Sequence, residues 1–304
     1  MAQNSPSTKL LIGRKSYLRS IQTALDTNTG FASAKLGNPG IQRLNYSILA
    51  ERTDNPKLLH IAQSSYIYHN LVQSGLFPAD VTFYQQYNER YVDALRELDY
   101  LGVFPDMVAR YRPMIKHHRF DFALMSYLDQ EPDRSAPSDE ANCYLPLFQG
   151  KRLLLISSYA TLLAERATQA KFEQVWGKTG KRWFFPTSVT ALEFPYGYPT
   201  TAQPQYANSI ALLASIKRRM SQVEFDVALI AAGGMAIPIA AYAKSIGKIG
   251  IDLGGHLQIL FGILGNRWRN RPKWQTRYFN AHWIDMPARF KPQTPYQADD
   301  GAYW

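Results

Sequence analysis

Between Phe225 and Trp268 the chain reads FDVALIAAGGMAIPIAAYAKSIGKIGIDLGGHLQILFGILGNRW, a span holding two junctions at which an apolar run meets a glycine pair and then a helical pattern. Val227 to Ala231 is uninterrupted and partly β-branched, ends at Gly233-Gly234, and leads into the small residues Ile237 to Ala243, which Gly247 stops. Lys248 to Leu253 repeats the pattern. It ends at Gly254-Gly255, after which Leu257, Leu260, Phe261 and Leu264 recur at helical spacing from His256. Buried strands that hand over to helices in this way belong to parallel sheets. Helix N-termini expose unpaired amides, and the helix dipole favours negative charge there. Gly233, Gly234, Gly254 and Gly255 are therefore candidate phosphate contacts, with His256 and Gln258 at the start of the second helix beside them. The plain alternative is that the glycines only permit tight turns and close packing of helix on sheet.

The same rhythm starts at Gly150. Leu153 to Ser157 reads as a strand, Ser157 or Ser158 as the cap of a helix from Tyr159 to Trp176, Arg182 to Phe185 as a second strand ended by Pro186, and Tyr206 to Ser221 as a further helix. Four strands joined by helices imply an α/β fold: a Rossmann-like parallel sheet with helices on both faces, with ligands at the C-terminal strand ends. Ser157 and Ser158 then fall on a ligand-facing loop. Residues 13–145 read as a mainly helical region before this core; Asp80 caps the clearest helix, on which Tyr84, Tyr87, Tyr91, Leu95 and Leu98 form one stripe. Gln130 to Asn142 is rich in Pro, Ser and acids and reads as a linker. The division expected is a flexible leader (1–12), the helical region (13–145), the Rossmann-like core (146–265) and a basic-aromatic extension packed on it (266–304).

Asp252 sharpens the second junction. A carboxylate that ends a buried strand beside a glycine turn sits where α/β enzymes place a base, a metal ligand or a ribose contact; its bland role is to cap the following helix. No GxGxxG, no GxxxxGK[ST], no HExxH and no GxSxG occurs, and the six histidines have no metal-ligand spacing, so dinucleotide-binding fingerprints, Walker-type triphosphatases, zinc proteases and serine hydrolases gain no support. Cys143 is the only cysteine, which excludes an internal disulfide, and its apolar setting marks it as a buried structural residue. MAQNSPSTK lacks the features of a secretory signal, and the apolar stretch from Val227 to Ala243 is broken by glycines and a proline, so the expected location is the cytoplasm, including the inner membrane surface.

FDVALIAAGG, GKIGIDLGGHLQILFGILGNRW, FNAHWI and the closing DDGAYW, with QSGLFP (73–78), Leu98-Asp99, Leu101-Gly102 and GKRLLLIS earlier, closely resemble bacterial glycosyltransferases of the GT-D type. The resemblance runs from about Phe31 to Trp304. It implies a Rossmann-like enzyme of glycan biosynthesis, including cell-surface polysaccharide, that moves a sugar from a nucleoside diphosphate donor to a glycan or glycoprotein acceptor. The runner-up is a non-catalytic sugar-nucleotide or glycan binding protein of the same fold. Members carry an acidic Asp-x-Glu element that holds a divalent metal, Mn or Mg, and the donor. The corresponding stretch here is AKLGNPGIQRL: Lys35 and Gly37 fit, while Asn38 and Gly40 stand where the two carboxylates are expected. Three readings follow from the departure. Lys35 or Arg43 neutralises the diphosphate without a metal, Asp252 or the Asp299-Asp300 pair replaces the lost ligands, or the chain is catalytically dead.

Arg267, Arg269, Arg271, Lys273 and Arg277 alternate with Trp268, Trp274 and Tyr278, which suits anionic ligands that also present stacking faces. The net charge of +10 extends this chemistry to nucleic acid or an anionic membrane surface, each of which requires a continuous basic face. Nucleic acid is placed behind the nucleotide sugar, and peripheral membrane association stays open. The ending resembles the family's acidic-glycine-Tyr-Trp close, and Asp300 is assigned there as a general base beside Asp252.

Overall fold

The computed structural model describes residues 11–132, 143–196, 202–292 and 299–304, with the side chain of Asp300 outside the described set. In chain order, α1 (Arg14–Thr27) precedes strand β1 (Phe31–Lys35), and three helices follow it: α2 (Asn38–Arg52), α3 (Pro56–Leu71) and α4 (Val81–Arg96). Then come β2 (Tyr100–Val103), α5 (Val108–His118) and β3 (Ala123–Ser126). The second half holds β4 (Arg152–Ser157), α6 (Ala160–Arg166), α7 (Gln169–Val175), β5 (Ser188–Glu193), α8 (Ser209–Met220), β6 (Val227–Ala231), α9 (Ala236–Ser245) and β7 (Ile249–Asp252). The closing segment is α10 (His256–Leu260), β8 (Ile263–Leu264), α11 (Asn266–Arg269), α12 (Pro272–Arg277) and β9 (Ile284–Asp285).

Seven strands form one parallel sheet in the order β3-β2-β1-β7-β6-β4-β5. Alternation along the strands divides the core into two layers. Leu154, Ile156, Ala228 and Ile230 face the layer built by α2, α4, α5, α8 and α9, whereas Leu153, Leu155, Val227, Leu229 and Ile251 face the layer of α1, α6, α7, α10 and the closing segment. Both faces of the sheet are thus covered, as a Rossmann-like α/β fold requires.

The two glycine junctions lie where the sequence places them, between β6 and α9 and between β7 and α10. Asp80 caps α4 by accepting from the Phe83 amide. Three features differ. Three of the strands, β1 to β3, come from the region read as helical, so the sheet does not begin at Gly150. The strand expected at 182–185 lies instead at 188–193: Phe185 takes a positive φ of 45°, and Trp183 and Phe184 turn inward onto Phe172, with ring centroids 5.3 and 5.8 Å away. Their apolar character serves packing, not pairing. The long helix expected over 159–176 is broken in two, because Thr168 leaves the first helix and caps the second through the Lys171 amide.

The reading of 130–142 as a linker is corrected at its start: Gln130 and Glu131 are fully buried, while 133–142 lie outside the described residues. Residues 1–10 of the expected leader also lie outside them, and Ile12 is tied to β3 through the Leu124 carbonyl, 2.7 Å away. Cys143 is buried and its thiol donates to the Pro132 carbonyl. Among the described residues no helix is long and apolar enough to cross a membrane.

Candidate functional site

A cavity of about 690 Å³ opens over the C-terminal ends of the strands. All seven ends reach it. Lys35 closes β1, Phe104 follows β2, Tyr127 follows β3, Ser158 follows β4, Phe194 follows β5, Ala231 ends β6 and Asp252 ends β7. In parallel sheets these ends are where loops can carry ligand groups without disturbing the hydrogen-bonded ladder, and the volume lies in the range of small-molecule sites.

Asp252 is the buried carboxylate of this floor, 6% exposed. Its Oδ1 accepts from the Gly254 amide at 2.9 Å and its Oδ2 from the Lys35 amide at 3.4 Å. Burial pushes its carboxyl up to about 6, against the opposing pull of Lys35 and the two amides. Gly254 makes the turn possible with a positive φ of 52°.

Behind Asp252 lies a group that the sequence reading missed. Glu131, fully buried, presents one oxygen, Oε1, to both Lys35 Nζ at 3.2 Å and His256 Nδ1 at 2.9 Å. Lys35 Nζ also donates to the Leu253 carbonyl at 3.2 Å and stands over the Tyr127 ring at 4.5 Å. One carboxylate from the end of β3 therefore holds two cavity-lining groups from β1 and α10. The only sequence signal was a polar Gln-Glu pair a few residues beyond a strand that had itself gone unread.

The closing segment forms the far wall. Arg267, Trp268, Arg271, Asp299, Tyr303 and Trp304 line the cavity. Arg267 pairs with Asp299 and lies over the Tyr303 ring, and these two neighbours, Tyr303 foremost, raise its pKa further. The tail is fixed by the Gln258 side chain, which donates to the Tyr303 carbonyl at 3.0 Å, and by the Arg267 amide, which donates to the Ala302 carbonyl at 3.0 Å. The other basic residues of the run do different work: Arg269 pairs with Asp285, and Arg277 covers Tyr278.

Of the residues singled out from the sequence, the structure brings Lys35, Gly37, Asn38, Ser158, Gly233, Asp252, Gly254, Gly255 and His256 to the cavity. Four others stand outside it. Arg43 is buried on α2, where its Nε donates to Asn70 at 2.7 Å and the guanidinium covers the Tyr91 ring at 4.3 Å, so it braces α2 against the end of α3. Ser157 is fully buried and accepts from the Tyr159 amide; no side chain caps α6. Gln258 holds the tail, as above. Gly234 belongs to a close approach of two backbones: its amide donates to the Ser74 carbonyl at 2.8 Å, and a Cβ on Gly233 would lie 2.6 Å from that oxygen. At this first junction the Ser74 backbone takes the Gly234 amide, while Gly233 remains on the cavity wall. The Asp300 side chain lies outside the described residues.

Where the resemblance implies two carboxylates, the chain presents the start of α2. Gly37, Asn38 and Pro39 line the cavity, no side chain caps the helix, and its first turn holds no acid. Position 40 has little room for one, because a Cβ there would lie 2.3 Å from Leu36 Cδ1 and 2.9 Å from the Tyr91 hydroxyl. Asp252 is engaged by amides and Asp299 by Arg267, and among the described residues no group of three or more His, Cys, Asp or Glu could hold a metal ion. The start of α2 thus supplies neither carboxylate of the divalent site in the enzymes the chain resembles, and the Asp300 side chain lies outside the described residues.

The chain matches no curated protein and no solved structure. Residues 201–260, which carry α8, β6, α9, β7 and the glycine turn under Asp252, match the family of the GT-D fold-like domain; with its seven-stranded parallel sheet, the chain carries a GT-D-like domain on a Rossmann-like α/β fold.

Proposed function

We propose that the chain is a glycosyltransferase that moves a sugar from a nucleoside diphosphate to a hydroxyl of a glycan or glycoprotein acceptor. The observation that carries the reading is the meeting, in one cavity over the strand ends, of a buried carboxylate raised to about 6 with Lys35, Arg267 and Arg271. At neutral pH such a carboxyl is mostly ionised and basic enough to take a proton. In the reaction the acceptor hydroxyl oxygen bonds to the anomeric carbon, the bond from that carbon to the diphosphate breaks, and the hydroxyl proton passes to Asp252. Negative charge builds on the departing diphosphate, and fixed cations lower the barrier most where they are already in place.

Lys35, Arg267 and Arg271 supply these cations, and the acid-free start of α2 adds the positive end of a 15-residue helix. Neutralisation by the chain's own side chains, rather than by a divalent ion, is part of the proposal. The stacked rings of Phe104 and Tyr127, centroids 4.8 Å apart, offer a face to a base or sugar.

The second reading is a sugar-nucleotide binding protein without turnover, favoured by Asn38 and Gly40 at the carboxylate positions. Release of nucleoside diphosphate from a panel of nucleoside diphosphate sugars, with glycan acceptors present, separates the two. Turnover that Asp252→Asn reduces by about 10² to 10⁴ supports the transferase. Binding with no turnover supports the alternative.

A further inference from the structure

Helix α3 is apolar yet mostly uncovered: of its 16 residues only Tyr66 and Asn70 are buried. Leu58, Ile61 and Tyr68 are 50%, 72% and 39% exposed. Spacings of three and seven put them on one face of the helix. From Asn55 to Ala79 the chain contains no Asp or Glu, while Lys57 and His60 sit beside the stripe and are exposed. Helix α5 joins this region by packing on α2, with His117 Nε2 2.9 Å from Glu51. It too is free of acids, and its Arg110, Arg112 and Lys116 are exposed.

We propose that this face docks on an anionic lipid bilayer. Leu58, Ile61 and Tyr68 enter the boundary between headgroups and acyl chains, and the basic side chains of α3 and α5 meet the lipid phosphates. Charge complementarity decides for lipid. Three exposed apolar side chains on an acid-free helix, with Lys57 beside them and a tyrosine suited to the interface, match a negatively charged layer in a protein of net charge +10. The placement has a consequence for the cavity. Helix α3 runs on into Gln73, Ser74 and Gly75 of the cavity wall, and the Val72 carbonyl accepts the Asp299 amide of the tail at 3.0 Å. Docking therefore engages a helix whose continuation forms part of the cavity wall. The docking does not depend on the transferase reading.

The test is flotation of the full chain with vesicles of phosphatidylcholine alone and of an equal mixture of phosphatidylcholine and phosphatidylglycerol, for the wild type, Ile61→Gln and the double variant Leu58→Gln/Ile61→Gln. These positions are exposed, and a thermal melt checks that the fold is kept. Expected are flotation with the anionic vesicles only, weakening as salt rises, and a loss of about tenfold or more in the double variant. Equal flotation with both vesicle types, full retention in the double variant, or no flotation at all would overturn the proposal. So would a concentration-dependent dimer, seen by light scattering and abolished by the same variant without any vesicle binding, which would assign the face to a second copy of the chain.

Discussion

Asp252 ends a strand, faces the cavity and stays protonated to a higher pH than an ordinary aspartate, because burial outweighs Lys35 and two amides. The same displacement affects stability. A carboxyl whose folded-state pKa lies above its unfolded value contributes most below the unfolded pKa, and that contribution is lost as pH rises through the folded pKa. Between pH 4 and pH 7 the wild type should therefore lose about 2 kcal/mol relative to Asp252→Asn, because each tenfold difference in proton affinity between the folded and unfolded chain is worth about 1.4 kcal/mol and the unfolded carboxyl is already half ionised at pH 4. Denaturant titrations of both proteins at a series of pH values check this, and a constant difference would contradict it. The wild-type rate should fall as pH drops below about 6. Glu131 acts one layer deeper. Glu131→Gln removes the charge that pairs Lys35 with His256, and loss of one partner from a buried ion cluster costs roughly 3 kcal/mol. The urea midpoint should fall accordingly, and an unchanged midpoint would show that the cluster is not stabilised by that charge.

The junctions after β6 and β7 were legible as elements because both strands are continuous apolar runs cut off by glycine pairs. β1 to β3 were not. FASAK, YLGV and ALMS are four or five residues long and mostly built of small or unbranched residues, so only pairing with a neighbouring strand marks them as strands. Missing β3 hid Glu131, and missing β1 hid the reason Lys35 meets Asp252. Of the site, the glycine turn at 254–255, Asp252, His256 and Lys35 could be read from local pattern and resemblance, whereas Arg43 and Gly234 could not be sorted from true cavity residues. Their partners, Asn70 and Ser74, lie far along the chain. The start of α2 carries its own prediction. Gly40→Ala places a methyl group against buried Leu36 and Tyr91, an overpacking that costs about 1–3 kcal/mol, so its melting point should drop. A melt equal to that of the wild type would show that Leu36 and Tyr91 yield to a Cβ at position 40.

Residues from Lys35 to Trp304 meet at one cavity, so the whole chain, not a detachable module, forms the site. The sheet brings the strand ends together, α2 points its acid-free start at the same space, and the tail closes the remaining side with Arg267, Tyr303 and Trp304. In the proposed reading this assembly holds a nucleoside diphosphate with the cations of the chain itself. Its most direct test is calorimetric titration of the purified protein with UDP, and with other nucleoside diphosphates in parallel, in the presence of a chelator and again with manganese. Binding is expected in the chelator, nearly unchanged by manganese and weakened by Arg267→Gln. Binding that appears only with manganese, or no heat with any nucleoside diphosphate in either condition, would contradict it.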